Sequence, residues 1–458
     1  MTKYRNSKRA ARVAPASRPF GFRVLDSFRI CVPALAGSDF GFRVFFLAVL
    51  LPALVQGVTA PSDPNSPPSD PNSPSSGRGE LTGFVVAEGR LFFHDPLFDD
   101  QEEHNGSLAA QPEYYYQWAN GALFTFTPFG RVDSADSERT HADIRELYYF
   151  YPRDWWAFRV GIARVFWGAT EFVHLVDVIN QVDLVEHPDG EDKLGQAMIQ
   201  FTMNRQWGAL DIFILPWFRE RTFPGREGRL RPGLEIDTED AFFEGRRKSR
   251  TPDLAFRYSR TLGDIDFGVF FFRGTNRDPM LIPPGLVYPD DTDTTRLIPF
   301  YEQVRQFGAD AQWAMGNWLW KFEALYRNGY LDPYFAGTGG VEYTWVGFGG
   351  GQTDLGLLAE YAYDERGDDL GTTSPYDNDV FLGLRVTPND MASTQLLMGV
   401  MQDVADDENI VVVEASRRFG SHWRLSLDAW VFCSIPEDSP IYDLRDDDFV
   451  RLELAYYF

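Results

Sequence analysis

Residues 448–458 end the chain with DFVRLELAYYF. Val450, Leu452, Leu454, Tyr456 and Phe458 alternate with Arg451, Glu453, Ala455 and Tyr457. Successive side chains of an extended strand point to opposite faces, so one row here is apolar and the other carries charge. Such a strand suits a wall with hydrocarbon on one side and water on the other. A soluble sandwich strand also alternates, so the remainder of the chain has to decide between the two.

Period two recurs from Leu81 onward. The candidate strands are 81–94, 109–118, 121–131, 139–151, 155–166, 196–204, 207–217, 252–262, 265–274, 300–315, 317–328, 338–348, 353–364, 378–387, 391–402, 409–418, 423–433 and 448–458. Most have the length that a tilted strand needs to cross a bilayer. Their number, about 18, is even, as a closed antiparallel barrel with both termini on one side requires. Tight connections such as Ala119-Asn120, Arg205-Gln206, Gly263-Asp264 and Pro388-Asn389-Asp390 carry turn residues. They alternate with longer ones at 95–108, 132–138, 167–195, 218–251, 275–299, 329–337, 365–377, 403–408 and 434–447. A soluble sandwich has no reason to sort its connections in this way.

The faces agree. In 317–328, Trp318, Trp320, Phe322, Ala324 and Tyr326 oppose Lys321, Glu323 and Arg327; in 353–364, Leu355, Leu357, Ala359, Tyr361 and Tyr363 oppose Asp354, Glu360 and Asp364. Trp155, Trp156, Trp207, Trp217, Trp313, Trp318 and Trp423 gather near strand ends, where interfacial aromatics belong. Two segments resist a clean assignment: Arg145 and Glu146 are adjacent charges in 139–151, and 265–274 carries Phe on both faces.

The closing strand with its terminal Phe resembles that of bacterial outer-membrane β-barrels, in which the segment is the signal read by the insertion machinery; Tyr456 and Phe458 occupy those positions here. The stretch HADIRELYYFYPRDWWAFRVGIARVFWG, 141–168, resembles a strand-turn-strand of large substrate-specific porins. The resemblance, over roughly 81–458, implies an all-β transmembrane barrel in a Gram-negative outer membrane, with short periplasmic turns and long extracellular loops. It implies lipid and lipopolysaccharide as surroundings and a small polar solute as cargo.

The N-terminal part reads differently. Residues 1–43 are basic and unpatterned, followed by VFFLAVLLPALV at 44–55, so 1–60 is expected to be a basic lead and signal peptide, with translation starting near Val24 or Val44. Residues 61–80 repeat SDPNSP and are expected to form a disordered Pro/Ser-rich lead ahead of the barrel, 81–458. The net charge is −24; taking nine Lys/Arg and two Asp/Glu away with residues 1–60 leaves 34 basic and 65 acidic groups, or −31. That balance excludes nucleic acid as a partner. Only Cys433 remains beyond the lead, so no intramolecular disulfide can form.

If the charged faces point inward, they line a polar interior. Arg159, Lys321, Arg385, Arg424 and Arg451 face Glu323, Glu360, Asp428 and Glu453 there, among others, and fixed charges of this kind set solute preference in a pore. In connection 167–195, Phe172, Leu175, Val176 and Ile179 lie at helical spacing opposite Glu171, His174 and Asp177. The third long loop of general porins folds inward and narrows the lumen, and the resemblance makes 167–195 the eyelet candidate. Glu171, His174, Asp177, Asp183 and Glu186 would then face Arg159 and Arg164 across the constriction. A surface helix capping the rim is the other reading of the same residues.

No catalytic constellation is apparent. Glu171-x-x-His174 could share a metal, but no second ligand pair accompanies it, and no G-x-S-x-G or phosphate loop occurs. The acidic runs 99–103, 290–293, 406–408 and 446–448 have the oxygen chemistry for Ca2+ or Mg2+ bridging to lipopolysaccharide; no other cofactor is expected. The expected function is a non-enzymatic, porin-like channel. A plugged structural or adhesive barrel and a rim-located outer-membrane enzyme are the alternatives.

Overall fold

The structure, a computed structural model, describes residues 77–330, 332–367 and 376–458, all within one compact unit. The signal-peptide and Pro/Ser-lead expectations for 1–76 lie outside the described residues.

Among the described residues, twenty-two strands follow in chain order. The first seven are β1 (Arg78–Phe92), β2 (His104–Gln117), β3 (Leu123–Asp133), β4 (His141–Pro152), β5 (Trp156–Ala163), β6 (Gln196–Arg205) and β7 (Gly208–Leu215). Then come the short β8 (Glu235–Ile236) and β9 (Phe242–Phe243), β10 (Asp253–Leu262), β11 (Ile265–Thr275), and the short β12 (Met280–Ile282) and β13 (Arg296–Tyr301). The last nine are β14 (Gln303–Met315), β15 (Trp318–Asn328), β16 (Tyr334–Trp345), β17 (Asp354–Asp364), β18 (Asn378–Thr387), β19 (Gln395–Asp403), β20 (Asn409–Phe419), β21 (Trp423–Ser434) and β22 (Phe449–Tyr457).

Eighteen of these form one antiparallel sheet in which each long strand pairs with the next. β22 returns to β1, with register from Phe84–Tyr457 to Phe92–Phe449, so the sheet closes on itself. Closure leaves no strand edge, the condition for placing a sheet in lipid. The exterior is apolar: Trp318, Trp320, Phe322 and Tyr326 of β15 are exposed, whereas Lys321, Glu323, Leu325 and Arg327 point inward and are buried. Leu357, Tyr361 and Tyr363 of β17 repeat the pattern against Leu358, Glu360 and Asp364.

Both termini of the barrel lie at the end of the turns 118–122, 153–155, 206–207, 263–264, 316–317, 346–353, 388–394 and 420–422. The other end carries 93–103, 134–140, 164–195, 216–252, 276–302, 329–333, 365–377, 404–408 and 435–448. The sorting by length is not strict, since 329–333 and 404–408 are shorter than the turn 346–353. β1 begins at Arg78, inside the segment expected to be disordered, and the expected strand 300–315 divides into β13 and β14. The short strands β8, β9, β12 and β13 join connections 216–252 and 276–302 through parallel and antiparallel pairs. The two or three residues of β8, β9 and β12 leave too little pattern to detect in the sequence.

Both ambiguous segments have physical explanations. The β3–β4 register shifts so that Thr127 faces Glu146 while Pro128 faces Ile144, which makes Arg145 an extra residue. A bulge of this kind re-aims a side chain, and Arg145 turns inward onto Asp183. In β11, Phe271 packs outward on Phe307, while Phe270 and Phe272 belong to a buried apolar cluster inside the barrel.

Placing Phe322→Arg on the lipid face of β15 is expected to cost roughly 2–4 kcal/mol. Ser426→Arg, pointing inward opposite Glu453, is expected to stay within about 0.5 kcal/mol of the parent. Guanidinium unfolding in lipid vesicles measures both.

Candidate functional site

Connection 164–195 lies inside the barrel, and its neighbours come from opposite walls. Its first half reaches β15, β17 and β18. Glu323, fully buried, accepts hydrogen bonds on Oε1 from the backbone of Ala169 (2.7 Å) and Thr170 (3.1 Å) and from the Thr170 hydroxyl (2.7 Å). Its Oε2 accepts from the Val176 backbone at 3.2 Å. Glu360 accepts from the backbone of Glu171 and Phe172 at 2.9–3.1 Å. Two wall carboxylates thus hold a turn of the loop by its amides. Glu171 adds ion pairs to Lys321 (3.1 Å) and Arg385 (2.7 Å), and Arg385 also approaches Glu342 (3.5 Å). Phe172 stacks on Phe381 with ring centroids 5.1 Å apart.

The base of the loop is apolar and cross-tied. Trp167 packs on Phe213 and Phe270, and the Arg257 guanidinium lies over its ring. Asn180 accepts from the Val165 amide and donates to the carbonyls of Ala163 and Leu194. Asp177 pairs with Lys193 at 3.2 Å. Gly195 returns the loop to β6 so closely along β4 that a Cβ there would sit 2.5 Å from the carbonyl oxygens of Ile144 and Arg145.

The second half crosses to β4, β3, β1 and β21. Asp183 meets Arg145 at 2.7 Å and the Thr222 hydroxyl at 2.6 Å, and Glu186 meets Arg131 at 2.6 Å. Arg139 donates to the Val185 carbonyl (2.8 Å) and Arg90 to that of Glu186. His187, almost fully buried, lies between Asp189 (2.6 Å) and Asp428 (3.1 Å), and Asp428 also holds Arg451 (3.1 Å). Burial opposes the charge on Asp183, yet His141, Arg145 and Thr222 outweigh it and hold the carboxyl down to about 2. Burial likewise opposes protonation of His187, but the adjacent carboxylates push it up to about 9.

The expected opposition of the loop acids to Arg159 and Arg164 is not what forms. Arg159 lies over the rings of Tyr148 and Phe150, and Glu146 is the carboxylate that it and Arg164 face. The expected helix is also absent: 167–195 contains turns, bends and an isolated bridge between Val182 and Lys193. The amides that a helix would have used internally are taken by Glu323 and Glu360. His174 packs against Phe166 while Glu171 pairs with Lys321 and Arg385, and the two do not join a group of potential metal ligands among the described residues. Lys321, Glu323, Glu360, Arg385, Asp428 and Arg451 do reach the loop or its direct partners, whereas Arg424 donates to the Ser416 hydroxyl. Sequence reasoning missed Glu88, Arg90, Arg131 and Arg139, which form a buried ion-pair network under the loop (2.6–3.2 Å). The alternation of Glu88 and Arg90 along 81–94 was the available signal.

Two groups of potential metal ligands occur among the described residues, His141–Asp183–Glu186 and Asp377–Asp379–Asp403. In the first, Arg131 and Arg145 already balance both carboxylates. Several acidic runs in the loops are also met by arginine: Asp100 by Arg226 and Arg231, Asp447 by Arg229, and Asp291 and Asp293 by Arg296. The first three contacts knit connections 93–103, 216–252 and 435–448 to one another, and Arg296 also pairs with Asp237 and Asp240, which ties 276–302 to 216–252.

No protein-family model matches the chain, and no curated protein does. Among solved structures it is similar to a triple-mutant porin of Rhodopseudomonas blastica, at 10% identity and a TM-score of 0.38 over 83% of this chain and 100% of that one. It is also similar to OmpF of Salmonella typhi, solved with daunomycin (9%, 0.41, 83% and 97%), and to OmpT, an outer membrane protein of Vibrio cholerae (9%, 0.38, 84% and 100%).

Replacing Glu323 by Ala orphans the amides of Ala169, Thr170 and Val176, at about 1–3 kcal/mol for each. These three amides are expected to exchange hydrogen about tenfold faster or more than in the parent, with Glu323→Gln intermediate. Unchanged protection would show that the loop is held by other contacts.

Proposed function

We propose that the chain is a porin-like channel of a bacterial outer membrane that passes small polar or charged solutes. Connection 164–195 acts as the eyelet, and selection is by width and fixed charge. The single observation that carries the reading is a 32-residue connection held across the interior at both ends by charged wall residues. A loop that served only to cap the rim would have no use for Glu323 and Glu360 on the inner wall. The apolar exterior supports a barrel set in lipid, with the closing residues Tyr456 and Phe458 as its insertion signal. Long connections then face outward among lipopolysaccharide, and the turns face the periplasm. The buried charges are engaged in holding the loop, and the reading assigns the chain no catalytic step.

Purified full-length protein in planar bilayers is expected to give discrete conductance steps. Glu323→Ala with Glu360→Ala should enlarge or destabilise those steps by releasing the loop. A silent bilayer with correctly inserted protein would overturn the channel and leave a structural barrel.

Acidity gives a second check. Burial, with Asp189, Glu414 and Glu171 nearby, pushes Glu191 of the loop up to about 7, while His187 opposes the rise. A carboxyl raised in this way takes up its proton as pH falls through 7 and loses its charge. The single-channel conductance in dilute KCl should therefore shift between pH 8 and pH 6, with a midpoint near 7, and the shift should vanish in Glu191→Gln.

A further inference from the structure

The ion pairs inside the barrel leave one side out of balance. Where connection 164–195 meets β20–β22, Arg451 is committed to Asp428, and Arg385 to Glu171 and Glu342. Arg131 is committed to Glu186 and Glu88. Glu191 and Asp192 on the loop, with Glu414 and Glu453 on the wall, have no ion pair or side-chain hydrogen bond among the described residues. Glu191, Asp192 and Glu414 keep solvent-accessible surface although the surrounding barrel raises the cost of their charge.

Two independent features show that this is more than a solvated acidic run. Strand register sets Glu414 directly against Asp428, and Glu453 directly against Glu88, and like charges directly opposed across strands are destabilising. Asp428 is 4% exposed, and its Oδ1 has no hydrogen-bond partner among the described residues, although Oδ2 holds both His187 and Arg451. A buried carboxylate oxygen without a donor, set beside a second carboxylate across the strands, marks a local shortage of cationic groups on this wall.

We propose that the passage between residues 189–192 and the β20–β22 wall is selective for cations, so that small cationic solutes, inorganic or organic, are its preferred cargo. The proposal rests on the channel reading above. Among the unpaired groups facing this passage the four carboxylates outnumber Arg418 and Arg424, which lie nearer the turn 420–422. Such an excess of one sign raises the local concentration of counter-ions roughly tenfold or more and disfavours anions by the same field.

Reversal potential across a planar bilayer in a KCl gradient tests it on the full-length protein. The parent is expected to prefer K+ over Cl− by roughly tenfold. Glu191→Gln with Glu414→Gln should bring the ratio toward unity, and Asp192→Asn with Glu453→Gln should do the same from a different pair of positions. Asp293→Asn, on the outer connection, should leave the ratio unchanged. Conductance in concentrated KCl shows that each variant has folded and inserted; if one pair fails to insert, the other carries the test. A parent ratio near unity, a preference for Cl−, or a ratio indifferent to both pairs of neutralisations overturns the cation assignment and leaves the channel standing. Absence of any conductance in the parent overturns the channel and the cation assignment together.

Discussion

Hydrocarbon offers no hydrogen bonds, and that constraint organises the whole barrel. Every backbone amide and carbonyl at membrane depth needs a protein partner, and a sheet provides one only when its first and last strands meet. The β1–β22 register does this over nine residue pairs, from Phe84–Tyr457 to Phe92–Phe449. Closure then divides the side chains by parity. Trp320 and Phe322 must face lipid because Lys321 and Glu323 cannot. The polar interior follows from the same rule: the charges have nowhere else to go.

A barrel of this circumference encloses more space than its own side chains fill, and the structure uses connection 164–195 to occupy it. The segment carries its own polar backbone into the interior, so its amides need acceptors there. Glu323 and Glu360 provide them, and buried carboxylates that receive several amides are themselves satisfied by the arrangement. The loop acids Glu171, Asp183 and Glu186 find Lys321, Arg385, Arg145 and Arg131 on the wall. Pairing in both directions explains how so many ionisable groups can lie at low exposure: a buried charge is tolerated when it is paired and hydrogen-bonded.

What could be read from the sequence was whatever depends on period two. The alternation in 317–328 and 353–364 locates β15 and β17 and assigns their faces without ambiguity, and the turn residues locate most hairpins. Tertiary effects defeated the same reasoning elsewhere. The bulge at Arg145 breaks parity in β4, and nothing in HADIRELYYFYP distinguishes an extra residue from a slip in register. Phe172, Leu175, Val176 and Ile179 have helical spacing, but spacing reports a helix only when the segment satisfies its own amides. Here the acceptors come from residues about 150 to 190 positions away. The acids of connection 164–195 were visible as acids, but their partners were not, because pairing across a barrel leaves no local trace in the chain.

The interior is also divided along its axis. Toward the long connections, Ile410, Val412, Trp430, Phe432 and Phe449 form a buried apolar cluster with Phe381 and Met401. Toward the turns, the inward positions of the same strands become polar and accessible: Glu414 and Arg418 of β20, Arg424 and Ser426 of β21, and Glu453 of β22. Connection 164–195 lies where the two regimes meet, with His187 against Trp430 and Phe449 on one side and Glu191 beside Glu414 on the other. An ion pair gains most from attraction where the surroundings are dry, and a lone charge costs least where they are wet. The distribution follows that rule: the paired acids lie in the packed half, and the unpaired ones stand at its boundary with water. The carboxylates left without partners therefore stand just beyond Arg418 and Arg424 for a solute entering from the turn side, and their position follows from the packing of the apolar half above them.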